Sequence, residues 1–442
     1  MTKRGILSDM DKQSCWMATA EMPSFPSLSK DVKTDVLIIG GGLAGLLCAY
    51  KLGLAGVDCI VVESERVCGG ITKNTTAKIT SQHGLIYHTL LRRFGKEKTA
   101  AYLSANQAAL DEYRSLSENI PCDFEEKDSF VYTLKHPRKI EQELSALHAI
   151  GFDATYADGL PLPFPTLGAV RFARQAQFHP LKFLAAIAKD LTVYEDTKVL
   201  EVFPHGVHTD KSNISAKKIV VATHFPFLNR HGLYFVKMYQ HRSYVTAFRN
   251  APSVDGMYLD EDEKGLSFRN YGDLLLLGGG GHRTGGRGGN WQELSAVASV
   301  CYPQAEPVYQ WAAQDCITLD DIPYIGQYGK TTPNLYVATG FNKWGFTSAM
   351  VAANVLTDAV LGQKNAYAEV FSPFRPVWRP RLFGNLFKTT VGLLTPTVPR
   401  CPHLGCALKY NKQEHSWDCP CHGSRFTHDK KLIDNPATDD MN

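Results

Sequence analysis

An α/β fold carrying an antiparallel insertion and a small β-rich C-terminal module is predicted by three stretches of this 442-residue sequence. Asp35 to Glu63, DVLIIGGGLAGLLCAYKLGLAGVDCIVVE, reads as strand, glycine turn, helix and strand. Tyr234 to Leu277 holds alternating, aromatic-rich runs joined by short polar turns, the pattern of antiparallel strands. Cys401 to His422 gathers four of the eleven cysteines. The implied division is an N-terminal extension (1–30), an α/β domain in two parts (31–230 and 321–370), an antiparallel domain between them (231–320), a Pro/basic linker (371–396) and a C-terminal module (397–442).

In the first stretch Gly40, Gly42 and Gly45 have the G-x-G-x-x-G spacing, and Glu63 closes the second strand about 20 residues on. Gly40 permits the tight turn, Gly42 keeps a Cβ away from a pyrophosphate, and Gly45 lets the helix lie close on the strand. The helix begins at Leu43 and Ala44, so its free N–H groups face the phosphates. Glu63 can accept from a ribose hydroxyl. This predicts a Rossmann-like dinucleotide site.

Charge and composition narrow the class. A formal charge of +3 implies no polyanionic partner such as nucleic acid. The uncharged run from Val36 to Tyr50 is too short to span a bilayer. MTKRGILSDMDKQSCWMATA lacks the apolar core of a signal peptide, so a cytoplasmic location is expected. The seven cysteines outside the cluster read as small buried hydrophobes.

After Glu63 a polar loop offers Gly70, Thr72, Asn74, Thr75 and Thr76 to the cofactor. Helical patterns follow in LIYHTLLRRFG, KTAAYLSANQAALDEYRSL and FHPLKFLAAIAKDL. AKKIVVATHF is a buried strand whose end at Ala222 and Thr223 lets a ligand approach. The insertion should supply strands YFVKMY, RSYVTAF, GMYLD, GLSFRN and DLLLLG, then a glycine loop, GGGGHRTGGRGGN, beside the substrate pocket. No register of that loop repeats the glycine fingerprint, which counts against a nicotinamide site. NLYVAT is another buried strand, GFNKWG a turn, and Phe346 to Leu361 a helix ended by Gly362.

These parts, in this order, resemble the D-amino-acid oxidase superfamily of FAD-dependent oxidoreductases over roughly residues 30 to 370. The resemblance implies FAD, with Gly40, Gly42, Gly45 and Glu63 on its ADP half, Val199 on the adenine side, and Gly340, Trp344, Gly345, Phe346 and Thr347 on the flavin side. The helix end near Thr347 would favour negative charge on a reduced flavin. It also implies an amine or amino-acid substrate oxidised by hydride transfer, mainly through positioning. Arg269 is the expected carboxylate clamp, and Tyr244, Tyr258 and His282 are candidate pocket residues. One departure is TKNTTAKIT, where many relatives carry a Ser-Arg or Ser-Gly-Arg-Asn pattern.

The segment from Phe371 to Arg400 has five basic residues and no acid. Its LFGNLFKTTVGLL is expected to pack on the flavoprotein, with a membrane-surface helix as the other use. Then CPHLGC and WDCPCHGSRF place Cys401 and His403 against Cys419 and His422. A Cys₂His₂ set also suits zinc. Motif and spacing resemble the Rieske [2Fe–2S] site, where two thiolates hold one iron and two imidazoles the other. That resemblance pairs Cys406 with Cys421 as a possible disulfide, which a cytoplasmic setting opposes. Phe426 replaces the tyrosine of respiratory relatives, so the potential should lie below the top of the class, and Ser424 can donate to a bridging sulfide. Strands for the usual base have no room before Cys401, so the cluster loops should lean on the flavoprotein.

The expected function is an FAD-dependent dehydrogenase whose electrons leave singly through the cluster to a one-electron carrier protein. The alternatives are a reductase fed in the opposite direction and a redox-sensing or assembly protein without turnover.

Overall fold

The computed structural model describes residues 11–262, 265–377, 380–396 and 399–441. The first ten residues of the expected N-terminal extension, and the expected boundary at 396/397 on its C-terminal side, lie outside the described residues.

Val32–Ile39 is the central strand of the first sheet, parallel to Cys59–Val62 on one side and Asn213–Val221 on the other. Its Val36 to Ile39 run is apolar because both of its faces are buried. Leu335–Thr339 extends the sheet in parallel beyond Asn213–Val221, and Tyr324–Gln327 closes that edge antiparallel. Helices Leu43–Leu54 and Gly345–Leu361 pack against each other over this sheet, and Gly362 ends the second in the left-handed conformation (φ 72°). The long helical pattern forms one element, Tyr87–Ser117, broken at Gly95 (φ 80°).

The second sheet has nine strands and is not confined to 231–320. Glu306–Thr318, Met238–Arg249, Leu274–Arg283, Ser267–Tyr271 and Met257–Asp260 run across it in that order, then Glu125–Tyr132, Ala169–Gln177 and Lys78–Ile79 from the first part of the chain continue it. Met257–Asp260 pairs in parallel with Glu125–Tyr132, a seam between distant parts of the sequence that no local pattern signals. YFVKMY opens as a helical turn, Tyr234–Lys237, before the strand starts at Met238. The expected glycine loop is partly strand: Leu274–Arg283 runs through Gly278 to Gly281, where a Cβ on Gly281 would lie 2.7 Å from the His241 ring. Helix Asn290–Cys301 and strand Glu306–Thr318 were not expected; QWAAQDCIT hides its alternation because glutamine and alanine occupy both faces.

A third, four-stranded antiparallel sheet, Lys409–Asn411, Ser416–Asp418, Arg425–Thr427 and Leu432–Asp434, follows the first cluster loop. The expected linker is largely a helix, Pro380–Leu394, with proline at its start. Among the described residues no helix is long and apolar enough to cross a membrane.

Candidate functional site

The glycine turn is built as its spacing demands. Gly40 has φ 111° and passes so close to the neighbouring strand that a Cβ would sit 2.7 Å from the Ala222 carbonyl oxygen. A Cβ on Gly45 would meet the Gly40 oxygen at 1.9 Å, so only glycine lets the helix start against the turn. The Glu63 carboxylate accepts from Gly41 N–H at 2.7 Å and from Ser64 Oγ and Glu65 N–H at 3.1 Å. It therefore braces the turn and keeps acceptor capacity for a ribose.

From this turn a cavity of about 530 Å³ opens between the two large sheets. Gly42, Leu43, Ala44, Gly70, Thr72, Asn74, Thr75, Thr76, Ala222, Thr223, Gly340, Trp344, Gly345 and Phe346 all line it. Gly40, Gly45 and Glu63 support its wall from behind. Thr347 is buried beneath it, its hydroxyl on the Thr80 carbonyl at 3.2 Å. Val199 is buried on a hairpin strand and does not line the cavity; it stands two residues from Thr197, whose N–H bonds the Glu63 carbonyl at 2.9 Å.

The polar loop keeps its side chains on the cavity because long side chains hold its backbone. Trp16 donates to the Thr75 carbonyl (2.7 Å), Trp311 to that of Asn74 (3.0 Å), and Arg269 Nη1 to those of Thr76 (2.8 Å) and Ala77 (2.7 Å). Arg269 is thus not the carboxylate clamp expected of it. Its guanidinium is buried under the loop, with Nη1 on those two carbonyls, Nε on that of Asn270 (3.2 Å) and Nη2 buried without a partner, and it does not line the cavity. His282 also misses the cavity, and Tyr244, although its ring lines the wall, points its hydroxyl at His282 Nε2 (3.0 Å) and Glu414 Oε1 (2.7 Å). Tyr258 is buried against Phe130 with its hydroxyl on the Val254 carbonyl at 3.0 Å.

Sequence reasoning missed the charged lining. Lys78 is half-buried at the cavity, donating to the Tyr258 carbonyl and Ser267 Oγ at 3.1 Å each, and desolvation pushes its pKa down to about 7. Burial raises Asp315 to about 6. His83 stacks on Trp344 at 5.0 Å and bonds Tyr102 and Thr347, and burial lowers it to about 3. The departure TKNTTAKIT holds two lysines, Lys73 and Lys78, and nothing local in the sequence separates the one at the cavity from the other.

The second site lies in two tight loops. Cys401 N–H bonds the Cys406 carbonyl at 2.9 Å, Cys419 N–H bonds that of Ser424 at 2.8 Å, and Gly405 (φ 77°) and Gly423 (φ 96°) turn them. Cys401, Cys419 and His422 are buried, and the His403 and His422 rings stand 5.0 Å apart at 86°. His403 Nε2 is fixed by Asn229 at 2.9 Å, while its Nδ1 and both His422 ring nitrogens are buried without a partner. Buried ring nitrogens without partners, in the same two loops as the buried cysteines, are what a metal cluster would satisfy. Cys406 and Cys421 are unbonded here, although their sulfurs lie within 4.8 Å. The Ser424 hydroxyl lies at the Cys401 thiol, and it accepts from Ala437 N–H at 2.9 Å.

A model of the FAD-dependent oxidoreductase family matches residues 35–359. The chain belongs to that family. A Rieske [2Fe–2S] domain model matches residues 385–442, so this FAD-dependent oxidoreductase also carries an iron–sulfur domain. It is 33% identical to YhfW of Bacillus subtilis (strain 168), named as a Rieske 2Fe-2S iron-sulfur protein, over 96% of both chains. It is 24% identical to gamma-glutamylputrescine oxidoreductase of Escherichia coli (strain K12), over 79% of this chain and 88% of that one. Glycine oxidase from Geobacillus kaustophilus shares the fold of the flavoprotein, with TM-score 0.64, 19% identity and coverage of 78% of this chain and all of that one.

The iron–sulfur domain docks on the flavoprotein through its cluster loops. Gln240 donates to the His422 carbonyl at 3.0 Å, and Gln314 to that of Gly423 at 2.9 Å. Arg283 reaches the carbonyls of Pro420 (3.3 Å) and Cys421 (3.1 Å). Asn435 holds the Thr223 and Phe225 carbonyls at the end of a cofactor strand. Buried Glu414 pairs with Arg242 and with Arg425 (2.8 Å), and those cations hold its pKa down.

Proposed function

We propose that this flavoprotein oxidises an amine or amino acid in the cavity beside Lys78 and sends the electrons out singly through the Rieske cluster. FAD supplies two-electron acceptance from an amine carbon, and the [2Fe–2S] centre supplies one-electron transfer. The observation that carries the reading is the shared sheet. On Glu306–Thr318, Ala313, Asp315 and Ile317 face the cavity while Gln314 between them turns to the cluster loop. On Met238–Arg249, Tyr239 faces the cavity and Gln240 the cluster loop. One strand layer therefore separates the two redox sites.

With Arg269 committed to the loop, Lys78 is the cation we assign to a substrate carboxylate. Two of its three N–H groups are used by Tyr258 and Ser267, which leaves one for the substrate. Gamma-glutamylputrescine, in the name of one relative, and glycine, in that of a structural neighbour, set the class for a screen of amines and amino acids. Anaerobic mixing of the holoenzyme with a substrate should bleach the flavin and then produce the paramagnetic signal of a reduced Rieske centre. Bleaching without that signal would refute the exit route.

A further inference from the structure

Helix Pro380–Leu394 is amphipathic the wrong way round for a helix covering a soluble protein. Its buried residues are Asn385 and Gly392. Asn385 donates to the Val236 carbonyl (2.9 Å) and accepts from Arg283 (2.6 Å), and Gly392 rests on the Cys406 and Cys421 side chains. The apolar face points away: Phe383 is 60% exposed, Phe387 70% and Leu394 76%, with Leu386 and Val391 beside them. Successive members fall at i, i+3, i+4, i+8 and i+11, so they form one stripe roughly 17 Å long. Arg400 binds the carbonyls of Leu393 (3.0 Å) and Gly405 (2.8 Å), which ties the end of the helix to the loop that carries His403 and the exposed Leu404.

We propose that this stripe lies on the surface of an anionic lipid bilayer, with the cluster loops directly above it. Phenylalanine and leucine on a single protruding helix can sink to the boundary of headgroups and acyl chains without spanning it. Of the basic residues from Phe371 to Arg400, Arg375 is held by Asp320 and Arg381 by Asp321, while exposed Lys388 on the helix and Arg400 at its C-terminal flank, in a segment with no acid, give the surface beside the stripe the right sign. A second copy fits less well. A two-fold contact through this face would bring the exposed Lys388 of both copies to one seam, and the helix itself offers no carboxylate to meet it.

The test uses the full-length holoenzyme and two sets of vesicles, phosphatidylglycerol mixed with phosphatidylcholine, and phosphatidylcholine alone. The protein should co-sediment with the anionic vesicles, more weakly with neutral ones and at high salt. The double variant Phe383→Ser, Phe387→Ser should lose affinity by about 10-fold or more while flavin and cluster spectra stay unchanged, both side chains being exposed. Lys388→Glu should weaken binding to the anionic vesicles selectively. Absence of wild-type binding, or equal binding by the double serine variant, would overturn the proposal. Self-association in ultracentrifugation that the same serines abolish, without vesicle binding, would overturn it in favour of a second copy.

Discussion

Lys78, to which the sequence assigned no role, lines the cavity, whereas Arg269, expected there, lies beneath the cofactor loop. Both lie near the cofactor loop, and arginine is the better carboxylate clamp in isolation. Strand Ser267–Tyr271 brings Ser267 to the cavity and carries Arg269 beneath the loop, where the Thr76 and Ala77 carbonyls need donors. Lys78 thereby inherits the cavity. Its pKa of about 7 lies below the ordinary lysine value, so it is a cation below about pH 7 and neutral above. With a carboxylate substrate, kcat/KM should fall as pH rises through that value, and Lys78→Met should flatten the profile. The same variant should raise KM by roughly 10-fold, with a smaller change in kcat, the loss of one charge-assisted hydrogen bond. An unchanged profile would place the substrate elsewhere. The glycine turn was legible because its steric demands lie within a short stretch of chain. Arg269 was not, because the carbonyls it serves are nearly 200 residues away.

At the scale of elements, proline and basic residues in 371–396 suggested a linker, yet Pro380–Leu394 is helical and fills the gap beside the cluster. Its apolar residues were visible in LFGNLFKTTVGLL; which face they occupy relative to the protein was not, because only the docked helix has an inside. Gly392 marks the contact. An added Cβ would lie 2.5 Å from Cys421 Sγ, so Gly392→Ala must push the helix from the second cluster loop. That overpacking should cost about 1–3 kcal/mol and lower iron content and the Rieske signal while flavin content holds. Full iron occupancy in the alanine variant would mean that the loop does not depend on the helix. The glycine run shows a similar limit: Gly278 to Gly281 looked like a loop, but its missing side chains let a sheet strand lie against His241 and Leu266.

Across the whole molecule, His83 ties the cofactor loop to two distant helices, bonding Thr80, Tyr102 and Thr347. Its pKa, lowered by burial to about 3, means that the folded chain excludes a proton that the unfolded chain takes up. The stability it contributes is present above about pH 6.5 and is lost as pH falls from there toward 3. In chemical denaturation His83→Gln should be less stable than wild type near neutrality but should lose less further stability on acidification. Equal slopes would refute that assignment. Between the cofactor cavity and the cluster loops lies a sheet assembled from four separated parts of the chain, including the parallel seam between Met257–Asp260 and Glu125–Tyr132. The sequence by itself determined the cofactor turn, the second cofactor strand, the flavin-side helix and the ligand spacing of the cluster, since each is a local pattern in which neighbouring residues meet the same group. Only the tertiary structure decided which cation reaches the substrate cavity, which face of Pro380–Leu394 meets solvent, and how Gln240 and Gln314 join cluster to flavoprotein. Those outcomes depend on contacts between residues far apart in sequence, where burial and the demand for hydrogen-bond partners choose among side chains that look equivalent along the chain.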